Sequence, residues 1–342
     1  MKAGLVGFPL SGKTTLFNAI TALHKTGDAH VHLGAIKVPD VRVDRLAAMY
    51  RPRKVTYAEM RFVDLPGPRG KGMDGESLRA LSDVDALCLV LRGFAGMDGS
   101  EPQALRELRD FDAELVLSDL GVVERRLDRL RKEHAGKTSS EYHELSNLLG
   151  HLESGKPLRT MRWTDAEQRE MAHFGFLSRR PMLVVLNVAE SEAARPIPPE
   201  LEGEVRARGA EGLALSAEVE AEIADLDPAD QPAFLESIGL REPARDRFIR
   251  AAYHLLDLAS FFTVGEDEVR AWTIHRGDRA PRAAGRIHSD LERGFIRAEV
   301  IHYEDFMAAG SEAQARERGR MRLEGKEYVV QDGDILHVRA AV

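Results

Sequence analysis

The chain has 342 residues, 43% hydrophobic and 30% charged, with 48 Lys+Arg against 56 Asp+Glu for a net charge of −8. That length buries two or three cores, and the acid excess excludes a uniformly basic surface, so any nucleic-acid contact must be a local patch. One cysteine, Cys88, excludes a disulfide framework and a cysteine zinc site.

No apolar stretch approaches the ~20 residues that span a bilayer. Met1-Lys2 leads straight into the first strand with no room for a signal peptide, so a cytoplasmic protein with no membrane partner is expected. Gly4 to Val6 reads as a buried strand, and Thr15-Leu16-Phe17-Asn18-Ala19-Ile20 has helical periodicity. Between them Gly7-Phe8-Pro9-Leu10-Ser11-Gly12-Lys13-Thr14 fills the phosphate-loop pattern G-x-x-x-x-G-K-[ST] in the strand–loop–helix setting it requires. Glycines let backbone N–H groups wrap an anion, and the helix N-terminus adds its positive end. Residues Gly7, Pro9, Leu10, Ser11, Gly12, Lys13, Thr14 and Thr15 are therefore candidate nucleotide contacts. Lys13 is expected on the β- and γ-phosphates and the Thr14 hydroxyl on Mg2+.

Further strands are expected at Tyr57 to Val63 and Ala86 to Leu91, the latter enclosing Cys88 as a small core residue. This alternation predicts a doubly wound α/β nucleotide-binding domain over residues 1–118. From Asp119 to Ser178 the pattern becomes helical, with Val122 to Lys132 and Tyr142 to Leu152 forming a hairpin inserted into that domain. A buried strand, Pro181 to Asn187, resumes the α/β domain, which continues to residue 254. Residues 255–342 form a third region of short strands, among them Val269 to Ile274 and Tyr328 to Val330.

Asp64-Leu65-Pro66-Gly67 follows a strand at the spacing of a metal-side acid and a switch glycine. Asp64 would support Mg2+ through water and the Gly67 N–H would sense the γ-phosphate. Asn187-Val188-Ala189-Glu190 occupies the place of the guanine-reading N-K-x-D, with Glu190 for aspartate and Val188 for lysine. The change argues for relaxed or adenine-favouring recognition. Ser216, Ala217 and Glu218 match the last base-contacting loop. Without a Ras-like glutamine after Gly67, the basic loop Pro68-Arg69-Gly70-Lys71-Gly72 is a candidate for charge stabilisation, with Lys71 assigned a catalytic role.

These motifs, with V-P-D-x-R-x-D-x-L at Val38 to Leu46, resemble the Obg-like ATPase family, YchF. Residues Phe261 to Gly265, Glu268 to Thr273, Gly294 to Glu299, Arg322 to Tyr328 and Asp332 to Asp334 resemble its C-terminal TGS domain, an α+β, ubiquitin-like fold. The resemblance implies a P-loop, GTPase-like protein using ATP or GTP with Mg2+, associated with the ribosome and with translation or stress control. Three features depart from the family. Leu10 stands where it has asparagine, residues 24–37 lack its threonine-bearing switch (Thr26, His30 or His32 being candidate replacements, with a loop that has lost metal coordination the favoured account), and Pro68 follows Gly67. They favour, as the alternative, a nucleotide-dependent binding protein with little hydrolysis.

Seven arginines lie between Arg270 and Arg297 against Asp278, Asp290 and Glu292. This local excess suits phosphate contacts that position without reading sequence. Ribosomal RNA is the expected partner, through the TGS domain and the basic helix Arg125-Arg126-Arg129-Arg131-Lys132; no DNA sequence specificity is expected.

Overall fold

The computed structural model describes residues 1–21, 32–67, 72–133 and 139–341. Among the described residues twelve strands run in chain order: β1 Lys2–Gly7, β2 His32–Lys37, β3 Lys54–Thr56, β4 Glu59–Asp64, β5 Ala86–Arg92, β6 Met182–Asn187, β7 Glu211–Leu215, β8 Leu258–Thr263, β9 Glu268–His275, β10 Phe295–His302, β11 Arg322–Glu324 and β12 Asp334–Ala340. The chain divides into two compact units, Met1–Ala35 with Arg61–Phe248, and Ile36–Met60 with Ile249–Val342.

The first unit is built on the sheet β2-β4-β1-β5-β6-β7, in which β1 pairs parallel with β4 and β5, β5 with β6, and β6 with β7. The unbroken apolar runs of β5 and β6 follow from this position. Both strands are buried apart from Arg92, as parallel strands covered on two faces must be. From β1 the chain moves to one side of the sheet and then to the other with β5. The carboxyl end of β1 is thus the switch point where open α/β sheets bind ligands. The helix Lys13–Thr21 starts there and buries Leu16, Phe17, Ala19 and Ile20. Cys88 is buried, and burial pushes its thiol well above the usual range.

The expected hairpin is present, but its first helix runs unbroken from Ala104 to Lys132. The 118/119 boundary therefore falls inside one helix. Phe111 and Leu115 pack with the sheet core, while Val116, Val123, Leu127 and Leu130 pack with Leu145, Leu148 and Leu152 of the second helix, Ser140–Glu153. Arg126 donates to both carboxylate oxygens of Glu141, at 2.7 and 2.9 Å, and so pins the hairpin. Beneath the hairpin, fully buried Asp112 meets Arg159, whose side chain is 3% exposed, and Arg208 at 3.1 Å.

The second unit holds the mixed sheet β11-β10-β12-β8-β9-β3. Residues 36–60, expected in the nucleotide domain, belong here because β3 pairs parallel with β9. The family-like stretch at Val38 to Leu46 has a physical reading in this unit. Asp40 caps the helix Val41–Tyr50 and holds Arg42, which pairs with Asp332 at 3.1 Å and lies over the Phe262 ring at 5.0 Å. Tyr328 to Val330 is not a strand. Val329 makes a single bridge to Arg279, because Tyr328 turns back to donate to Asp334 at 2.7 Å and the Val330 N–H goes to Asp278.

Candidate nucleotide-binding site

The loop after β1 and the segment after β4 face a cleft of about 530 Å3, lined by Gly7 to Thr15, Pro66, Gly67 and Phe94. Its glycines are required by contact as well as by conformation. A Cβ on Gly67 would lie 1.8 Å from the Gly7 carbonyl oxygen, and one on Gly12 (φ +82°) 2.1 Å from Nδ2 of Asn187. The Lys13 ammonium, at the helix start, forms an ion pair with Asp64 at the end of β4. Thr14 and Thr15 are exposed on the first turn.

Leu10 is 83% exposed and sits at φ +66°. A leucine in the left-handed region costs about 1–2 kcal/mol, whereas asparagine tolerates it. Leu10→Asn is therefore expected to stabilise the protein by about 1 kcal/mol. A urea-unfolding midpoint that fails to rise would refute that reading. Ser11 is buried, and its Oγ lacks a hydrogen-bond partner among the described residues.

Asn187 is buried at the end of β6. Its Nδ2 donates to the Ser11 carbonyl at 2.9 Å, and its Oδ1 accepts from the Ala217 N–H at 2.8 Å. The residue thus ties the phosphate loop to the loop after β7. Val188, expected at the base, is corrected. Its side chain is in the sheet core and its N–H goes to Leu215, because the apolar run of β6 continues one residue further. Ser216 is also buried and its side chain caps the helix Ala217–Asp225, and Ala217 has its N–H engaged by Asn187, so neither the Ser216 hydroxyl nor the Ala217 N–H is offered to the base. Glu190 and Glu218 are exposed. Lys71, Arg69 and Pro68, like Thr26 and His30, lie outside the described residues, and of His32 only the strand backbone is described.

Phe94 escaped the sequence reading. Its signal is Gly93 immediately after an apolar strand, where a Cβ would come within 2.9 Å of the Asn187 carbonyl oxygen.

A parallel sheet of this order with a glycine loop at the carboxyl end of β1 defines the P-loop nucleoside triphosphatase class. The family described as "50S ribosome-binding GTPase" matches residues 2–126, and the YchF GTPase C-terminal family, described as "Protein of unknown function (DUF933)", matches residues 258–341. The chain is 39% identical to the ribosome-binding ATPase YchF of Bacillus subtilis, over 99% of both chains. It is 37% identical to that of Haemophilus influenzae, over 99% of this chain and 98% of the relative. The solved structure of the Schizosaccharomyces pombe YchF GTPase superposes with a TM-score of 0.89 at 28% identity, covering 99% of this chain and 97% of the other. The chain belongs to the YchF family.

Proposed function

We propose that the chain is a Mg2+-dependent nucleoside triphosphatase that hydrolyses ATP, with GTP the competing substrate, and that its nucleotide state governs association with the ribosome. The observation that carries this reading is Lys13 at a helix N-terminus, paired with Asp64 and lining a glycine-walled cleft. Relatives alike over nearly their whole length and named ribosome-binding ATPases support it.

In this reading the loop N–H groups bind the phosphates and the Lys13 ammonium exchanges Asp64 for phosphate oxygens. Gly67 brings its own N–H close to the γ-phosphate. Asn187 holds the loops in register, while Glu190, exposed after β6, accepts from the base.

Thr14 and Asp64 are the oxygen donors for a metal. Among the described residues no group of three or more His, Cys, Asp or Glu could hold one alone. That donor set fits Mg2+, which keeps several waters and takes one or two carboxylates plus substrate phosphates. Bound Mg2+ would supply charge neutralisation across the β- and γ-phosphates.

Ribosomal RNA contact is assigned to the second unit, read as a TGS domain, and to exposed Arg125, Arg129, Arg131 and Lys132 of the long helix. No described helix is long and apolar enough to cross a membrane. The relatives named ribosome-binding ATPases support a cytoplasmic assignment.

Lys13→Ala should lower phosphate release with ribosomes by about 10²–10³, the usual loss on removing one preorganised charge partner. Calorimetry with ATP and GTP in Mg2+ separates that loss from weakened binding. A Lys13→Ala protein with wild-type turnover refutes the assignment. A second reading, nucleotide-dependent binding with little turnover, is favoured by Leu10, an apolar side chain on the cleft wall. Tight ATP binding without release by the wild type would select it.

A further inference from the structure

The second unit contains a cleft of about 600 Å3 that the nucleotide chemistry does not use. Arg276, Arg320 and Arg322 form its rim with His302, and Asp305 and Asp334 also line it. These arginines are drawn from the turn after β9, the turn after the helix Glu312–Glu317, and β11, so chain order does not reveal the cluster.

Each of them is exposed, and its carboxylate contacts among the described residues are loose. Arg276 reaches Asp257 at 3.8 Å, Arg320 reaches Asp305 at 3.7 Å, and Arg322 reaches Glu324 at 3.7 Å and Asp334 at 4.0 Å. Arg322 also donates to the Tyr328 hydroxyl at 3.0 Å. A phosphate accepts shorter, bidentate bonds from guanidinium groups than these pairs provide.

Behind the rim the acids are already compensated. Asp332 accepts from Arg42 and from the Ser260 N–H, and these bonds, working against the effect of burial, hold its carboxyl below the usual range. Asp334 is fully buried, and its Oδ2 accepts from Tyr328 and the Gln331 N–H. Its Oδ1 has His302 at 3.4 Å, so this acid is held within the fold. Asp305, partly exposed, is the acceptor open to the cleft. A cationic rim, an acidic wall and a volume in the range of small-ligand sites suit one compact molecule carrying both a phosphate and hydroxyl donors.

We propose that this cleft is a second ligand site, taking a sugar phosphate, with the phosphate on the arginine rim and a hydroxyl on Asp305. The same unit occurs free or at the end of an RNA strand.

The test is calorimetry on the full chain carrying Lys13→Ala, which keeps the glycine loop out of the titration. Ribose 5-phosphate and inorganic phosphate are the probes. Arg276→Gln and Arg320→Gln, both at exposed side chains, should each weaken ribose 5-phosphate about tenfold, the effect of one charge-assisted bond. Asp305→Asn should weaken ribose 5-phosphate while tightening inorganic phosphate, because it removes a hydroxyl acceptor together with a negative charge. An RNA oligonucleotide that displaces ribose 5-phosphate from the Lys13→Ala protein, but not from its Arg320→Gln form, assigns the site to a strand end; failure to displace it assigns the site to the free molecule. The proposal falls if neither probe binds, if binding ignores the arginines, or if Asp305→Asn moves both probes the same way.

Discussion

Gly67→Ala should all but abolish nucleotide binding and destabilise the first unit by about 3 kcal/mol, the upper range for forcing atoms into packed space. The added methyl would lie 1.8 Å from the Gly7 carbonyl oxygen, so backbone must move. Both segments line the phosphate cleft, so the displacement falls on the loop that wraps the phosphates. The φ of Gly67 is not in the left-handed region, which makes contact the only cause. ATP calorimetry and a urea melt on the variant provide the check. A variant that binds ATP with wild-type affinity would show that the two segments separate freely.

Asp112→Ala should cost about 3–5 kcal/mol, the range for removing one partner of a buried ion pair. Arg159 would lose its only close carboxylate among the described residues while its side chain stays 3% exposed, and Arg208 would lose its contact at 3.1 Å. Burial already lowers the Arg159 pKa, opposed by Asp112, so the carboxylate is what keeps the guanidinium charged there at low cost. Asp112→Leu combined with Arg159→Met should recover most of the loss, because replacing a whole buried pair by apolar groups is often near neutral. Urea midpoints of the single and double variants measure this. A single variant within 1 kcal/mol of wild type, on the ~1.4 kcal/mol-per-decade scale, would mean that water reaches the pair.

Local pattern made the phosphate loop legible. Gly7, Gly12, Lys13 and Thr14 are adjacent in sequence, and their spacing carries both the conformation and the chemistry. The bracing by Asn187 was not legible, since its partners are backbone atoms of Ser11 and Ala217, brought to it only by the sheet. Val188 misled because motif position suggested a ligand contact, whereas the apolar run Met182 to Val188 had one more buried residue to place. The early segment 36–60 misled in the opposite way. Its α/β alternation is genuine, but strand periodicity does not say which sheet a strand joins, and β3 joins the second. The seven arginines at Arg270 to Arg297 are expected to form a phosphate surface, and sequence does not show their partners: Arg279 and Arg282 meet Glu327 at 2.5 Å and Asp278 at 3.0 Å while staying exposed, Arg293 pairs with Asp290, and Arg270 lies over Trp272 at 3.8 Å.

The helix Ala104–Lys132 is about 43 Å long at 1.5 Å per residue and contributes to two cores at once. Neither core can open fully without breaking the same ladder of backbone bonds. In native-state hydrogen exchange, amides from Phe111 to Leu130 should therefore leave together, at the free energy of the whole first unit, rather than in two steps divided near residue 118. The hairpin is then a rigid extension of the nucleotide fold, without a cleavable joint where composition changes.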